Sequence, residues 1–136
     1  MLGRGFTRFR TGAFGLLVYA VLAFGQQTQK KVLVIPLVCE GNGCPLLQGA
    51  PQTAGVRSGF VRLMQGRIVG RHTTGKNEET LVILHGQCDA LLDGSKKVSF
   101  TAPAAVYIPP QTHHDVLNTG KEPLEYVYVV APVTTQ

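Results

Sequence analysis

Residues 66–86 read GRIVGRHTTGKNEETLVILHG. The stretch ends in a short apolar run between polar residues and glycine, a pattern typical of a buried β-strand. Because residues two apart in a strand share a face, Glu79 lies with Leu81 and Ile83, whereas Glu78 points to the other side. A carboxylate that points into an apolar interior is costly unless it is paired, protonated or bound to a metal. Glu79 is therefore a candidate functional residue.

The chain from residue 32 onward contains further apolar runs of this kind. Short runs rich in valine, leucine, isoleucine and tyrosine alternate with turn-forming residues, and none has a helical period. The eight runs are VLVIPLV from Val32, GFVRLM from Gly59, TLVILH from Thr80, CDALLD from Cys88, KVSF from Lys97, AVYI from Ala105, HDVLN from His114 and EYVYVV from Glu125. They predict an all-β sandwich or barrel, with hairpin turns at residues 93–95 and 119–121.

His114 is the second candidate functional residue. In the run HDVLN it shares a strand face with Val116 and Asn118. If that face is the inner one, His114 and Glu79 point into the same interior. With His72, which lies just before the strand of Glu79, two imidazoles and a carboxylate form a candidate metal site.

The two stretches together resemble the motifs of the cupin superfamily. The first motif is matched by Gly66, His72, Glu79 and Gly86, and the second by Pro109, His114 and Asn118. The chain departs from the motifs at three positions, where Thr74 replaces a second histidine, Gln111 replaces a glycine and Pro103 stands where a leading glycine would be. The resemblance implies a single cupin domain, a double-stranded β-helix or jelly-roll barrel.

The resemblance also implies a ligand set. It transfers His72, Glu79 and His114 as ligands of one divalent ion, and this donor set suits Fe, Mn, Ni or Zn. Thr74, with a hydroxyl that is a poor ligand, and Asn118 are then expected to contact the ligands or a metal-bound water. The alternative is a degenerate cupin that binds no metal and packs its histidines in the core.

Other polar residues are assigned to the exterior. Glu78 and His113 point away from their inward neighbours, and His85 ends its strand beside a glycine.

Tyr126 and Tyr128 share one face of the last strand, and Val127 and Val129 share the other. Either pair fits the interior. The arginines are expected at solvated strand positions or at the rim; they are Arg57, Arg62, Arg67 and Arg71.

The first 25 residues have the layout of a secretory signal. Arg4, Arg8 and Arg10 precede an apolar run over residues 11–24, and Ala23 and Gly25 are spaced like a signal-peptidase site. We expect cleavage after Gly25 and a secreted or periplasmic protein without stable membrane insertion. A retained transmembrane anchor is the alternative, although the run is shorter than the roughly 20 residues that a spanning helix needs.

The charge of the mature part argues against nucleic acid as a partner. Three of the 13 Lys and Arg residues leave with the signal, so ten bases face eight acids and the net charge falls from +5 to about +2. The sequence contains no basic stripe with interleaved aromatics, phosphate loop, nucleotide fingerprint or Ser/His/Asp order. A small-molecule ligand is the expected partner, and a homodimer is left open.

Cysteine placement agrees with export. Cys39 and Cys44 bracket a glycine-rich reversal and predict a disulfide, whereas Cys88 in an apolar run predicts a buried free thiol. The domain plan is a signal over residues 1–25, an N-terminal strand and cysteine loop over residues 26–56, and the cupin domain over residues 57–134.

Three functions fit this sequence. The first is a metal-dependent enzyme of the dioxygenase or isomerase type, acting on a small organic molecule. The second is a non-enzymatic module that binds a small ligand or a metal, and the third is a subunit of a larger exported complex. Because one fold hosts many activities, the sequence leaves open whether the protein is an enzyme.

Overall fold

A computed structural model describes residues 31–93 and 96–133 of the protein. The elements in these residues are all β-strands, and no helix among them is long and apolar enough to cross a membrane. The strands are β1 (Gly43–Gln48), β2 (Arg57–Leu63), β3 (His72–Thr73), β4 (Asn77–His85), β5 (Gln87–Leu92), β6 (Lys97–Thr101), β7 (Ala104–Ile108), β8 (His113–Asn118) and β9 (Leu124–Pro132).

The strands form two antiparallel sheets. One has five strands in the order β1-β2-β9-β4-β7, and the other has four in the order β3-β8-β5-β6. Neighbours in each sheet are mostly distant in sequence, since β9 lies between β2 and β4, and β8 lies between β3 and β5. The predicted all-β fold is therefore confirmed.

The core lies between the inner faces of the two sheets. Strand β4 shows the alternation that builds it, because Leu81 and Ile83 are each 1% exposed while Val82 and Leu84 face outward. The facing sheet contributes Cys88 and Val116, which are equally buried. Burial of each such aliphatic side chain stabilises the fold by about 1.5–3 kcal/mol.

Seven of the eight apolar runs form strands, and the N-terminal run does not. Residues 32–38 were predicted as a strand, but the structure assigns them no strand, and Val32, Val34 and Val38 are largely exposed. An apolar run becomes a strand only where a neighbouring strand pairs with its backbone, and residues 32–38 have no such neighbour among the described residues. Two strands were missed, β1, which contains Gly43 and Pro45, and the two-residue β3.

One of the two predicted hairpin turns is wrong. Residues 119–121 connect β8 in the four-stranded sheet to β9 in the five-stranded sheet, so they carry the chain from one layer to the other. Local turn chemistry cannot distinguish this crossing from a hairpin. Strands β5 and β6 do pair antiparallel, but Gly94 and Ser95 of the predicted turn between them lie outside the described residues.

The cysteines divide as the sequence predicted. Cys39 and Cys44 are joined in a disulfide with their Cα atoms 5.6 Å apart, which ties the segment before β1 to Cys44 in that strand. Cys88 is a free and buried thiol. Burial, followed by the nearby charge of Asp89, raises the pKa of the Cys88 thiol to about 12, so it stays protonated and unreactive. The predicted signal over residues 1–25 lies outside the described residues.

Candidate metal centre

Three strands bring the candidate ligands together. His72 on β3 and His114 on β8 are direct partners across that ladder, with ring centroids 4.2 Å apart. Glu79 enters from β4 in the other sheet, on the inward face that also carries Leu81. The two histidines thus come from one layer of the barrel and the carboxylate from the other.

The donor atoms of these residues converge. Glu79 Oε2 lies 3.4 Å from His114 Nε2 and 4.0 Å from His72 Nε2. One donor atom from each residue lies within 4.8 Å of the others, so this group can hold a metal ion. Glu79 is 6% exposed and His114 is 1% exposed, whereas 43% of the His72 side chain is accessible. The site is closed on the side of Glu79 and His114 and open on the side of His72.

Backbone carbonyls orient both imidazoles. Nδ1 of His72 lies 2.8 Å from the Gly70 carbonyl, and Nδ1 of His114 lies 3.4 Å from that of Thr112. When each Nδ1 carries the proton and donates to its carbonyl, each Nε2 keeps a lone pair directed at Glu79. This tautomer is the one that a metal ligand requires.

The charges at the site also suit a cation. Burial disfavours the charged form of His114, but the hydrogen bond and charge of Glu79 outweigh it and raise the pKa of His114. Among the described residues, the basic groups within 4.0 Å of the Glu79 carboxylate are these two imidazoles. A buried carboxylate whose partners are two imidazoles fits a divalent ion in the place of a proton.

The site opens into a cavity of about 510 Å³. Its wall combines aliphatic side chains with aromatic, polar and charged groups. The lining residues are Arg57, Val61, Val69, Gly70, His72, Thr73, Thr74, Asn77, Glu79, Leu81, His114, Val116, Tyr126, Tyr128 and Val130. A small organic molecule could occupy this space beside an ion.

Thr74 lines the cavity, but its hydroxyl is already engaged. It donates to the Pro109 carbonyl at 2.9 Å and accepts from the Thr112 N–H at 3.0 Å. These contacts tie the residue after β3 to the loop that leads into β8. Thr74 therefore acts on the candidate site through the backbone that carries His114.

Asn118 lies away from the site, which corrects the expectation that it contacts the ligands. It is four residues from His114 along β8, about 13 Å at the usual strand rise. Its side-chain N–H groups donate to the carbonyls of Leu63 and Glu122, and its Oδ1 accepts from the Gly120 N–H. The two-residue alternation of side chains along a strand, called strand parity below, correctly placed Asn118 inside the barrel. Strand parity does not give the position of a residue along the barrel axis.

The residues assigned to the exterior are found there. Glu78, His85 and His113 are exposed, and Glu78 accepts a hydrogen bond from the Tyr107 hydroxyl. Arg62 and Arg71 form surface ion pairs with Glu125 and Asp93 at 2.8 and 3.1 Å.

Three cavity residues had no defined role in the sequence. Arg57 is exposed, as expected for a solvated or rim position, and Tyr126 and Tyr128 were one of two pairs that fitted the interior. All three line the cavity. Strand parity could have found Arg57, since it shares a face with Val61 and Leu63, which are inward.

Residues 59–130 match the Cupin_2 family, described as a cupin domain, and they make up more than half of the chain. The chain is a cupin. The matched region contains all three candidate ligands of this cupin and both motifs that the sequence analysis singled out. No curated protein matches the sequence.

Solved structures support the fold of this cupin. The cupin domain of Schizosaccharomyces pombe Cnp3 is 18% identical with a TM-score of 0.60, over 67% of this chain and 64% of that chain. A protein from Bacillus halodurans is 21% identical with a TM-score of 0.54, over 60% and 65%. An RmlC-like cupin from Methanocaldococcus jannaschii, described as a double-stranded β-helix, is 19% identical with a TM-score of 0.60, over 74% and 91%.

These likenesses confirm the predicted double-stranded β-helix. The cupin described here spans just under two thirds of the first two of these chains. Because one fold hosts many activities, similarity at this level of identity shows the fold alone.

Proposed function

We propose that this cupin is a metal-dependent enzyme, of the dioxygenase or isomerase type, acting on a small organic molecule. The ion would be held by His72, Glu79 and His114. The observation that carries the proposal is that these three donors converge at the wall of an open cavity of about 510 Å³. A site with three protein ligands leaves coordination positions for a substrate. A bound divalent ion would supply Lewis-acid or redox chemistry.

The cavity wall supports this reading. Leu81, Val116 and Val130 give the wall an apolar character that favours an organic molecule over bulk water. Burial, followed by the charge of Glu79, raises the pKa of Tyr126 far above its usual value, so its phenol keeps its proton. A neutral phenol near the ligands can donate a hydrogen bond to an oxygen of the bound molecule.

A second candidate function is a binding module that holds a small molecule without converting it. It is favoured by the composition of the cavity wall, because Glu79, His72 and His114 are the carboxylate and imidazoles among its described lining residues. No separate general base is therefore present in that lining. An enzyme would have to rely on the ion for its chemistry, whereas a binding module would need none.

Metal analysis of the purified protein tests the proposal. Protein prepared without chelator or affinity tag is expected to contain a stoichiometric divalent transition metal, measured by inductively coupled plasma mass spectrometry. A bound redox metal such as iron or manganese would favour the enzyme. Zinc without turnover of any organic molecule would favour the binding module. Protein that stays metal-free after incubation with each of Fe(II), Mn(II), Ni(II) and Zn(II) would contradict the metal site.

We also propose that the protein is exported. The basic start, apolar run and small residues of the first 25 positions support this, and the Cys39–Cys44 bridge is typical of an oxidising compartment. The mature chain is expected to begin near Gln26, and intact-mass measurement of the extracytoplasmic form checks this. An intact chain from Met1 in the membrane fraction would instead identify a retained anchor. The homodimer left open by the sequence stays a prediction.

A further inference from the structure

Arg57 is the arginine that lines the cavity, whereas Arg62, Arg67 and Arg71 do not. Arg62 and Arg71 are neutralised by surface carboxylates. Arg57 makes no ion pair or side-chain hydrogen bond with residues 31–93 or 96–133, yet it lines the cavity. It is the one lysine or arginine among the described lining residues. The cavity wall therefore contains a permanent positive charge that forms no ion pair within 4.0 Å with a carboxylate of the described residues.

Strand register fixes where this charge lies relative to the candidate ligands. Arg57 on β2 pairs with Val130 on β9, and Val130 pairs in turn with Glu79 on β4. Residues paired across an antiparallel sheet point to the same side, so all three side chains belong to the inward face. The Cα atoms of Arg57 and Glu79 are two strand spacings apart, about 10 Å. A small molecule can span the space between a guanidinium and an ion at Glu79.

The cavity wall between Arg57 and Glu79 is suited to the carbon skeleton of a small organic molecule. Val130 lies directly between them, and Leu81 and Tyr128 form the next inward row of the same sheet. Tyr128 reaches across to β2 because its partner there is Gly59. A Cβ atom at that position would lie 2.6 Å from the Tyr128 ring. The glycine thus makes room for an aromatic surface beside the cavity.

The chemistry of Arg57 at one end of the cavity and of the candidate metal site at the other defines the class of ligand. A guanidinium is always charged and presents a planar fork of N–H donors that matches a carboxylate. A divalent ion on two imidazoles and one carboxylate keeps net positive charge and prefers oxygen donors. The space between them is apolar or aromatic.

From this arrangement we propose that the cavity takes a small organic acid, with its carboxylate on Arg57 and a second oxygen function toward His72, Glu79 and His114. This inference rests on the proposed function and names the substrate class of the same site. Arg57 is then a specificity-determining residue, and charge rather than shape selects the ligand.

Matched pairs of an acid and its neutral amide test the assignment. The mature chain is titrated with 3-hydroxybenzoate and 3-hydroxybenzamide, and with lactate and lactamide, by calorimetry or by NMR. At least one acid is expected to bind tenfold or more tightly than its amide. Arg57→Gln is expected to remove that preference, Arg57→Lys to keep part of it, and the exposed Arg67→Gln control to leave it unchanged.

Metal content measured in the same preparations separates the two proposals. Arg57 is not a candidate metal ligand, so Arg57→Gln should keep the metal content of the wild type. If metal binds but each acid binds no better than its amide, or no probe binds at millimolar concentration, the assignment of Arg57 is overturned while the metal site stands. A preference for the acid that survives Arg57→Gln also overturns it. If no metal binds but the preference depends on Arg57, the acid site stands and the proposed function fails.

Discussion

Glu79→Gln is expected to lower metal affinity at least tenfold, which corresponds to about 1.4 kcal/mol, whereas Glu78→Gln leaves it unchanged. Glutamine has nearly the shape of glutamate, but it removes the negative charge that faces both imidazoles at 3.4 and 4.0 Å. Neighbouring Glu78 points outward, where its contact is the Tyr107 hydroxyl. Competition with a chromophoric chelator gives the affinity of each variant.

Glu78→Gln is the control for Glu79→Gln, because both variants lose one negative charge from the same strand. Circular dichroism and a thermal melt establish that each is folded. Equal loss of affinity in both variants would mean that only overall charge matters. Loss in Glu78→Gln alone would mean that the register of β4 is shifted by one residue, which would place Glu78 inside.

Asn118→Ala is expected to destabilise the fold by about 3 kcal/mol, from loss of buried hydrogen bonds. The residue is 1% exposed, and its amide binds two carbonyls and one N–H. These bonds join the end of β8 to the end of β2, at Leu63, and to the segment that crosses to β9. Alanine would leave these backbone groups without their partner. Urea unfolding followed by circular dichroism gives the change in the free energy of unfolding.

Thr119→Ala, at the exposed next position, serves as the control and should change stability little. Metal affinity of Asn118→Ala should equal that of the wild type under conditions where it is folded, since the residue lies about 13 Å along β8 from His114. If Asn118→Ala keeps the stability of the wild type but loses metal affinity, the stabilising role of Asn118 is contradicted and the residue belongs to the metal site.

Strand parity explains most of what could be predicted. The period of two separates Glu79 from Glu78 and His114 from His113, and the structure buries the first of each pair and exposes the second. Parity depends only on chain geometry, so it can be read without a partner strand. The same property predicted the strands that carry most of the core, and the spacing of the glycine, histidine and glutamate residues led to the cupin resemblance.

Parity fails where a residue depends on a distant neighbour. The two residues of β3 have no strand signal of their own, and His72 is held in place by pairing with His114, 42 positions later. Asn118 is inward as parity requires, but its depth in the barrel decides that it binds backbone rather than ligand. The run at residues 32–38 is apolar enough for a strand but has no strand partner among the described residues.

The sequence by itself therefore determined the all-β class and predicted the inward direction of Glu79 and His114, because these follow from local period. The cupin resemblance added His72 as the third candidate ligand. Only the tertiary structure decided that Thr74 holds the loop before β8 and that Arg57 lies in one row with Glu79. That row exists because β9 inserts between β2 and β4. The physical reason is that pairing between distant strands is set by the packing of the whole barrel, so it cannot be predicted from a short stretch of sequence.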